Sequence, residues 1–176
     1  MSNEDTQQAI RDAIHESRGK IIQQAIEIEK MMEIYIAERL SDKEEKVHEL
    51  INLVIAPRLT FSQKKEVFDF LLEKYHNDFK KEHQAVLSTM TGLIAQRNIF
   101  AHWPAEFSQY AVDVYDSRTS ITLIRLKNWR DDNSKELHLG ERVEYNQSKT
   151  NEWIMRFLDL NAVLKKLIMD TAPPLK

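Results

Sequence analysis

Ile21-Ile22-Gln23-Gln24-Ala25-Ile26-Glu27-Ile28-Glu29-Lys30-Met31-Met32-Glu33-Ile34-Tyr35-Ile36 is the stretch that decides the fold. At 100° per residue, Ile21, Ile22, Ala25, Ile28, Met32 and Ile36 fall on one broad face, and Ile14 and Leu40 extend it at either end. The spacing predicts one helix from about Asp5 to Leu40. Gly19 is its weak point and a candidate kink, because an interior Gly costs about 1 kcal/mol relative to Ala. Glu29 lies about 40° from Ala25 on the same apolar stripe, so its carboxylate needs a partner or a place at the stripe's edge.

Downstream, Ser41-Asp42-Lys43-Glu44 has the form of a capping box and predicts a second helix through Val47, Leu50, Ile51 and Val54. Pro57 should end that helix near Ala56. Ser62, preceded by Phe61, is expected to cap a third helix carrying Val67, Phe68, Leu71, Leu72 and Tyr75, and this helical pair should pack on the first. From Asn77-Asp78 a fourth helix is expected, with Phe79, Val86, Leu87, Met90, Leu93, Ile94 and Ala101 as its stripe. Partial alternation in 110–115, the β-branched run 121–126 and alternation in 137–143, after the turn-rich 131–134, predict two or three short strands. Thr150 is the expected cap of a last helix with Ile154, Phe157, Leu158, Leu164, Leu167 and Ile168 on its buried face. The tail 171–176 should fray. The expectation is a mainly α protein: an antiparallel bundle of about five helices in one domain, 1–176, with a hairpin-like strand insert at about 110–143 before the last helix.

Composition narrows the function classes. The chain has 176 residues, a formal charge of −3, three Gly, four Pro and no Cys. So few Gly and Pro argue for long helices. Without Cys there is neither a disulfide framework nor a thiolate metal site, as expected of a reducing compartment. The polar start, Met1-Ser2-Asn3-Glu4-Asp5, is unlike a signal peptide, and no apolar run approaches the roughly 20 residues a membrane helix needs. A cytoplasmic protein without membrane contact is expected. Its net charge gives no global attraction to nucleic acid, so any such activity needs a local basic patch. The six His form no HxH or HExxH pattern, no Gly-rich phosphate loop exists, and no Ser stands in a GxSxG context, so no cofactor or metal is expected. Lys64-Lys65 and Lys80-Lys81 read as solvated helix faces.

The fourth helix holds the anomaly. With Met90 at zero, Arg97 falls at about −20° and His83 at about +20°, in the middle of the apolar face. Arg97 opens the hexamer Arg97-Asn98-Ile99-Phe100-Ala101-His102, and Trp103-Pro104 then stops the helix. Five residues apart on a regular helix, Arg97 and His102 diverge by about 140° and are separated by roughly 7.5 Å of rise. They share one substrate only if the helix end deforms or a second copy contributes. Purely structural roles explain the same residues: Arg97 tied to Glu29 or Glu33, and His102 favoured by the negative end of the helix dipole.

Arg97, Asn98 and His102, after a long apolar helix, resemble the signature of the HEPN superfamily: an Arg, a polar residue that is often Asn, and a His four to six residues after the Arg. The resemblance covers the helical frame, but only the hexamer is specific, and the strand insert departs from the simplest bundle. Many members are metal-independent endoribonucleases of toxin or defence type whose two motif copies meet across a homodimer. The resemblance therefore implies an RNA substrate, a homodimer, and an antitoxin or other protein partner. His102 would move protons at the 2′-hydroxyl or the leaving 5′-oxygen. Arg97 would hold the scissile phosphate, Asn98 would orient either group, and Glu29 or Glu33 would support Arg97. Other members are non-catalytic modules that bind a protein or nucleotide, and that role stays open here.

Overall fold

The computed structural model describes residues 3–41, 43–126 and 139–171; the turn-rich 131–134 and the tail 172–176 lie outside them. Among the described residues, seven helices and one small sheet follow in order. Helix α1 is Asn3–Leu40, α2 spans 44–58, α3 is Phe61–Tyr75, and α4 comprises Asn77–Glu82 and Gln84–Leu87. Helix α5 is Met90–His102 and α6 is Gln109–Arg118; strands β1 (Ser120–Leu126) and β2 (Leu139–Asn146) precede α7, Gln147–Thr171. The protein is mainly α, with a two-stranded antiparallel sheet before the last helix.

Contacts cluster into two compact units, Met1–Ile22 with Gln96–Ile154, and Gln23–Ala95 with Met155–Lys176. In the first unit Ile10, Ile14 and Ile21 of α1 are buried, as are Phe100, Val112, Ile121, Leu123 and Tyr145. Strands β1 and β2 pair from Ser120↔Asn146 to Leu123↔Val143, with an irregularity between Ile124 and Leu126. Segment 110–115, expected as a strand, is instead the helix α6. The Ser108 hydroxyl caps it by accepting from the Ala111 N–H, and Ala111 and Val114, three residues apart, are buried.

In the second unit Ile28, Met32, Tyr35 and Ile36 of α1 are buried with Phe68 and Leu72 of α3 and Phe157, Leu160 and Leu164 of α7. Lys64 meets Glu29 and Glu33, and Phe68 lies edge-on to Tyr35 at 5.1 Å, so α3 runs beside α1 in the same direction. The α1–α7 contacts also ascend together: Asn161 Nδ2 donates to Gln24 and Glu27, and Arg39 to the Thr171 carbonyl.

Several helix ends differ from expectation. Thr60, not Ser62, caps α3 in a reciprocal box with Gln63. The Ser41 oxygen bonds the backbone of Lys43, which precedes α2, and Asp42 lies outside the described residues. Helix α2 continues past Ala56 to Arg58 through a π-helical segment, Ile51–Ile55. The stripe from 77 to 101 is divided between α4 and α5: His83 leaves helical geometry, and Ser88 and Thr89 bond back to Ala85 O and Val86 O. Asn146 Oδ1, not Thr150, accepts from the Lys149 N–H at the start of α7; Thr150 donates to Asn146 O.

Helix α1 passes Gly19 without interruption, and a Cβ there would meet nothing within 4 Å. Gly19→Ala should therefore stabilise by about 0.5–1 kcal/mol. Thermal melts check this, and a lower Tm would contradict it.

His76 follows α3, with its ring 5.9 Å from that of Tyr35. Burial, then the Arg39 charge, holds its imidazole below the ordinary His value. As pH falls below about 6.5 the unfolded chain takes up this proton more readily than the folded one, so stability present at neutral pH is lost on acidification. His76→Gln should flatten the decline of Tm between about pH 7 and pH 5, and an unchanged slope would contradict the assignment.

Candidate functional site

The hexamer closes α5, which keeps helical geometry through His102. Its inward face is fixed by packing. Phe100 is fully buried against Tyr145 at 4.7 Å between ring centroids, and the Tyr145 hydroxyl donates to Gln96 Oε1 at 2.6 Å. Burial pushes that hydroxyl's pKa up to about 12, against the opposing pull of Gln96, so it remains a donor across the physiological range. Gln96 and Phe100, four residues apart, thus lock one side of α5 onto β2.

The chain is pinned immediately after His102. Trp103 N–H donates to Ile99 O at 2.9 Å, and the Arg18 guanidinium of α1 donates to the Trp103 carbonyl. Pro104 then ends the helix, and its carbonyl accepts from Ile124 N–H at 3.0 Å. Ala105 bridges Leu123, and Glu106 N–H donates to Thr122 O. The exit from the motif helix is therefore tied to β1. Buried Glu106 receives Arg142 bidentately at 2.7 and 2.8 Å and the Ser108 hydroxyl at 2.7 Å, which consolidates the same corner.

Against this fixed frame the polar residues face outward. Asn98 and His102 are exposed and Arg97 is half-exposed. Asn98 and His102 stand four residues apart and so share one helix face. Arg97 is brought toward that face: its Nη1 donates to Asn98 Oδ1 at 3.1 Å. Arg97 thus meets a short neutral side chain, and no deformation of the helix brings it onto His102.

Glu29 and Glu33 are engaged elsewhere. Lys64 Nζ donates to Glu29 Oε1 and Glu33 Oε1, both at 2.6 Å, and Lys64 is only 2% exposed. The supporting role expected of these carboxylates toward Arg97 is replaced by an internal ion cluster with Lys64. Burial lowers the ammonium's pKa, but the bonds and charges of the two Glu outweigh it and leave the net shift upward. The Lys64-Lys65 pair is therefore no solvated face at Lys64. Its position among buried Phe61, Phe68, Leu71 and Leu72 on α3 was the available signal. His83 stands at the break in α4, half-buried, with its ring 4.4 Å from Phe79.

Among the described residues, no group of three or more His, Asp or Glu is placed to hold a metal ion, and no helix is long and apolar enough to cross a membrane. Chemically, the exposed end of α5 offers a guanidinium for an anion, an amide that orients it, and an imidazole for proton transfer. Comparison with known protein families, with curated proteins and with solved structures found no match.

Proposed function

We propose that this protein is a metal-independent endoribonuclease, acting as a homodimer in a toxin or defence role, with Arg97, Asn98 and His102 as its site. The observation that carries the reading is the exposure of these three residues on a helix end whose opposite side is locked. A salt bridge to a carboxylate would have marked Arg97 as a structural tie, and burial would have barred His102 from substrate; neither describes them.

The reaction balances without a metal. A base takes the proton of a ribose 2′-hydroxyl, the 2′-oxygen attacks the adjacent phosphorus, and the bond to the 5′-oxygen breaks as that oxygen gains a proton. The products are a 2′,3′-cyclic phosphate and a 5′-hydroxyl. An imidazole can take part in either proton transfer near neutral pH. Arg97 supplies paired donors to the phosphate oxygens as their charge grows, and Asn98 holds the guanidinium at its working position. Because α5 stays regular, the site is completed by a second copy, with Arg97 of one chain opposed to His102 of the other.

The test is incubation of an RNA oligonucleotide and its all-deoxy counterpart with the purified chain in EDTA. RNA should be cut to cyclic-phosphate and 5′-hydroxyl ends while the deoxy strand stays intact. Cleavage of both strands, or of neither, would overturn the proposal.

A further inference from the structure

The compact unit that holds the hexamer also carries a basic ridge on the first half of α1. At about 100° per residue, Arg11, His15 and Arg18 fall within about 60° of one another, over roughly 10 Å of helix. Arg11 and His15 are exposed and Arg18 is half-buried. Among the described residues, none of the three pairs with a carboxylate. The neighbouring acids lie on the next face and are engaged there: Asp12 accepts from Gln8 at 2.9 Å, and Glu16 pairs with Lys20.

The ridge follows the chain as it leaves α5. Arg18 donates to the carbonyl of Trp103, the residue directly after His102, and the Arg11 guanidinium sits 5.3 Å from the centroid of the Phe107 ring. Helix α1 therefore runs antiparallel to 103–107, and the ridge begins one residue from His102. Trp103 and Phe107 are half-buried, so each presents part of its surface beside a cation. Cations in line with interleaved aromatic rings suit a single nucleic-acid strand, whose phosphates meet the cations while unpaired bases stack on the rings. With a net charge of −3 the chain as a whole does not attract such a strand, so the attraction has to be local. We propose that Arg11, His15, Arg18 and Trp103 form a track that holds a single-stranded segment of RNA leading to His102. The track rests on the RNA-cleavage reading and adds to it the positioning residues and the strandedness of the substrate.

The experiment measures binding rather than cleavage. A labelled single-stranded RNA oligonucleotide is titrated in EDTA with the full chain carrying His102→Ala, which keeps the strand intact, at several salt concentrations. Adding Arg11→Gln should weaken binding and reduce the slope of log Kd against log salt by about 0.7, the contribution of one phosphate contact on a single strand. Lys20→Gln removes the same charge from the opposite side of α1 and should leave the slope unchanged. Trp103→Leu should weaken binding by about 5- to 150-fold, the loss of one stacked base, with the slope retained. A blunt duplex of the same sequence should bind more weakly than the single strand. Circular dichroism confirms that each variant is folded, and Arg11→Gln, at an exposed position, keeps the test decisive if Trp103→Leu is not. No binding of RNA, equal slopes for Arg11→Gln and Lys20→Gln, or polyglutamate bound as tightly as RNA would overturn the track. Binding in the expected pattern by a chain that cuts no RNA when His102 is intact would leave the track and remove the nuclease. Cleavage by wild type, with Arg11→Gln and Trp103→Leu binding unchanged, would do the reverse.

Discussion

His102→Ala is expected to slow metal-free RNA cleavage by about 10²- to 10⁴-fold, the range a positioned proton-transfer group contributes. Arg97→Ala should cost about 10²- to 10³-fold, through lost donors to the developing charge on phosphorus. Arg97→Lys tests geometry rather than charge. An ammonium lacks the guanidinium's planar fork, so this variant should recover only part of the loss. Asn98→Ala removes the 3.1 Å contact that holds Arg97 and should have a smaller effect than either. None of these side chains is buried, so their removal should change folding stability by no more than about 0.5 kcal/mol. Single-turnover rates, compared with melting curves for the same samples, separate chemistry from folding. Variants that lose stability in parallel with activity would show a structural role for the motif.

Lys64→Ala should destabilise the fold by about 3–5 kcal/mol, because it leaves buried Glu33 and half-buried Glu29 without their cation. For a chain of this size that corresponds to a Tm about 6–20 °C lower. The cluster is tight, with both N–O distances at 2.6 Å, and Glu33 is itself buried. Replacing the whole cluster, as Lys64→Met with Glu29→Gln and Glu33→Gln, should restore most of the loss, since it removes the charges with their partner. The pH dependence has a definite sign. The Lys64 pKa is raised in the folded state, so its stabilisation is complete below the ordinary Lys value and is lost as alkaline pH rises through the folded value. Denaturant midpoints for wild type and Lys64→Ala check both points. A loss under about 1 kcal/mol would show that the cluster is solvated like a surface pair.

The long helix α1 was legible because a 100° stripe over some ten turns has no other reading, and the stripe is buried except at Ile22, which is half-buried, and Leu40, which is exposed. The strand pair before the last helix was legible from the β-branched run at Ile121–Ile124. Helix α6 was not. Alternation of Tyr110, Val112 and Val114 with Ala111 and Asp113 mimics a strand, and the decisive signal was the single hydroxyl of Ser108 at the helix entrance. The break between α4 and α5 was equally hidden, because the hydrophobic stripe continues across it while Ser88 and Thr89 redirect only hydrogen bonds. In the candidate site, the hexamer and its termination at Pro104 could be read directly. The partner of Glu29 and Glu33 could not, since a Lys beside another Lys gives no local sign of burial and its two carboxylates lie more than thirty positions away. Arg18, which holds the Trp103 carbonyl, is hidden for the same reason.

The most direct test of the proposed two-copy site is RNA cleavage in EDTA by wild type, Arg97→Ala, His102→Ala, and an equimolar mixture of the two variants allowed to exchange chains. Wild type should cut, each variant alone should be nearly inactive, and the mixture should regain activity, because one site of each mixed dimer joins the intact Arg97 of one chain to the intact His102 of the other. Equal cleavage in all four samples would assign the activity to another site or to a contaminant, and a mixture as inactive as its components would contradict a site shared between two copies.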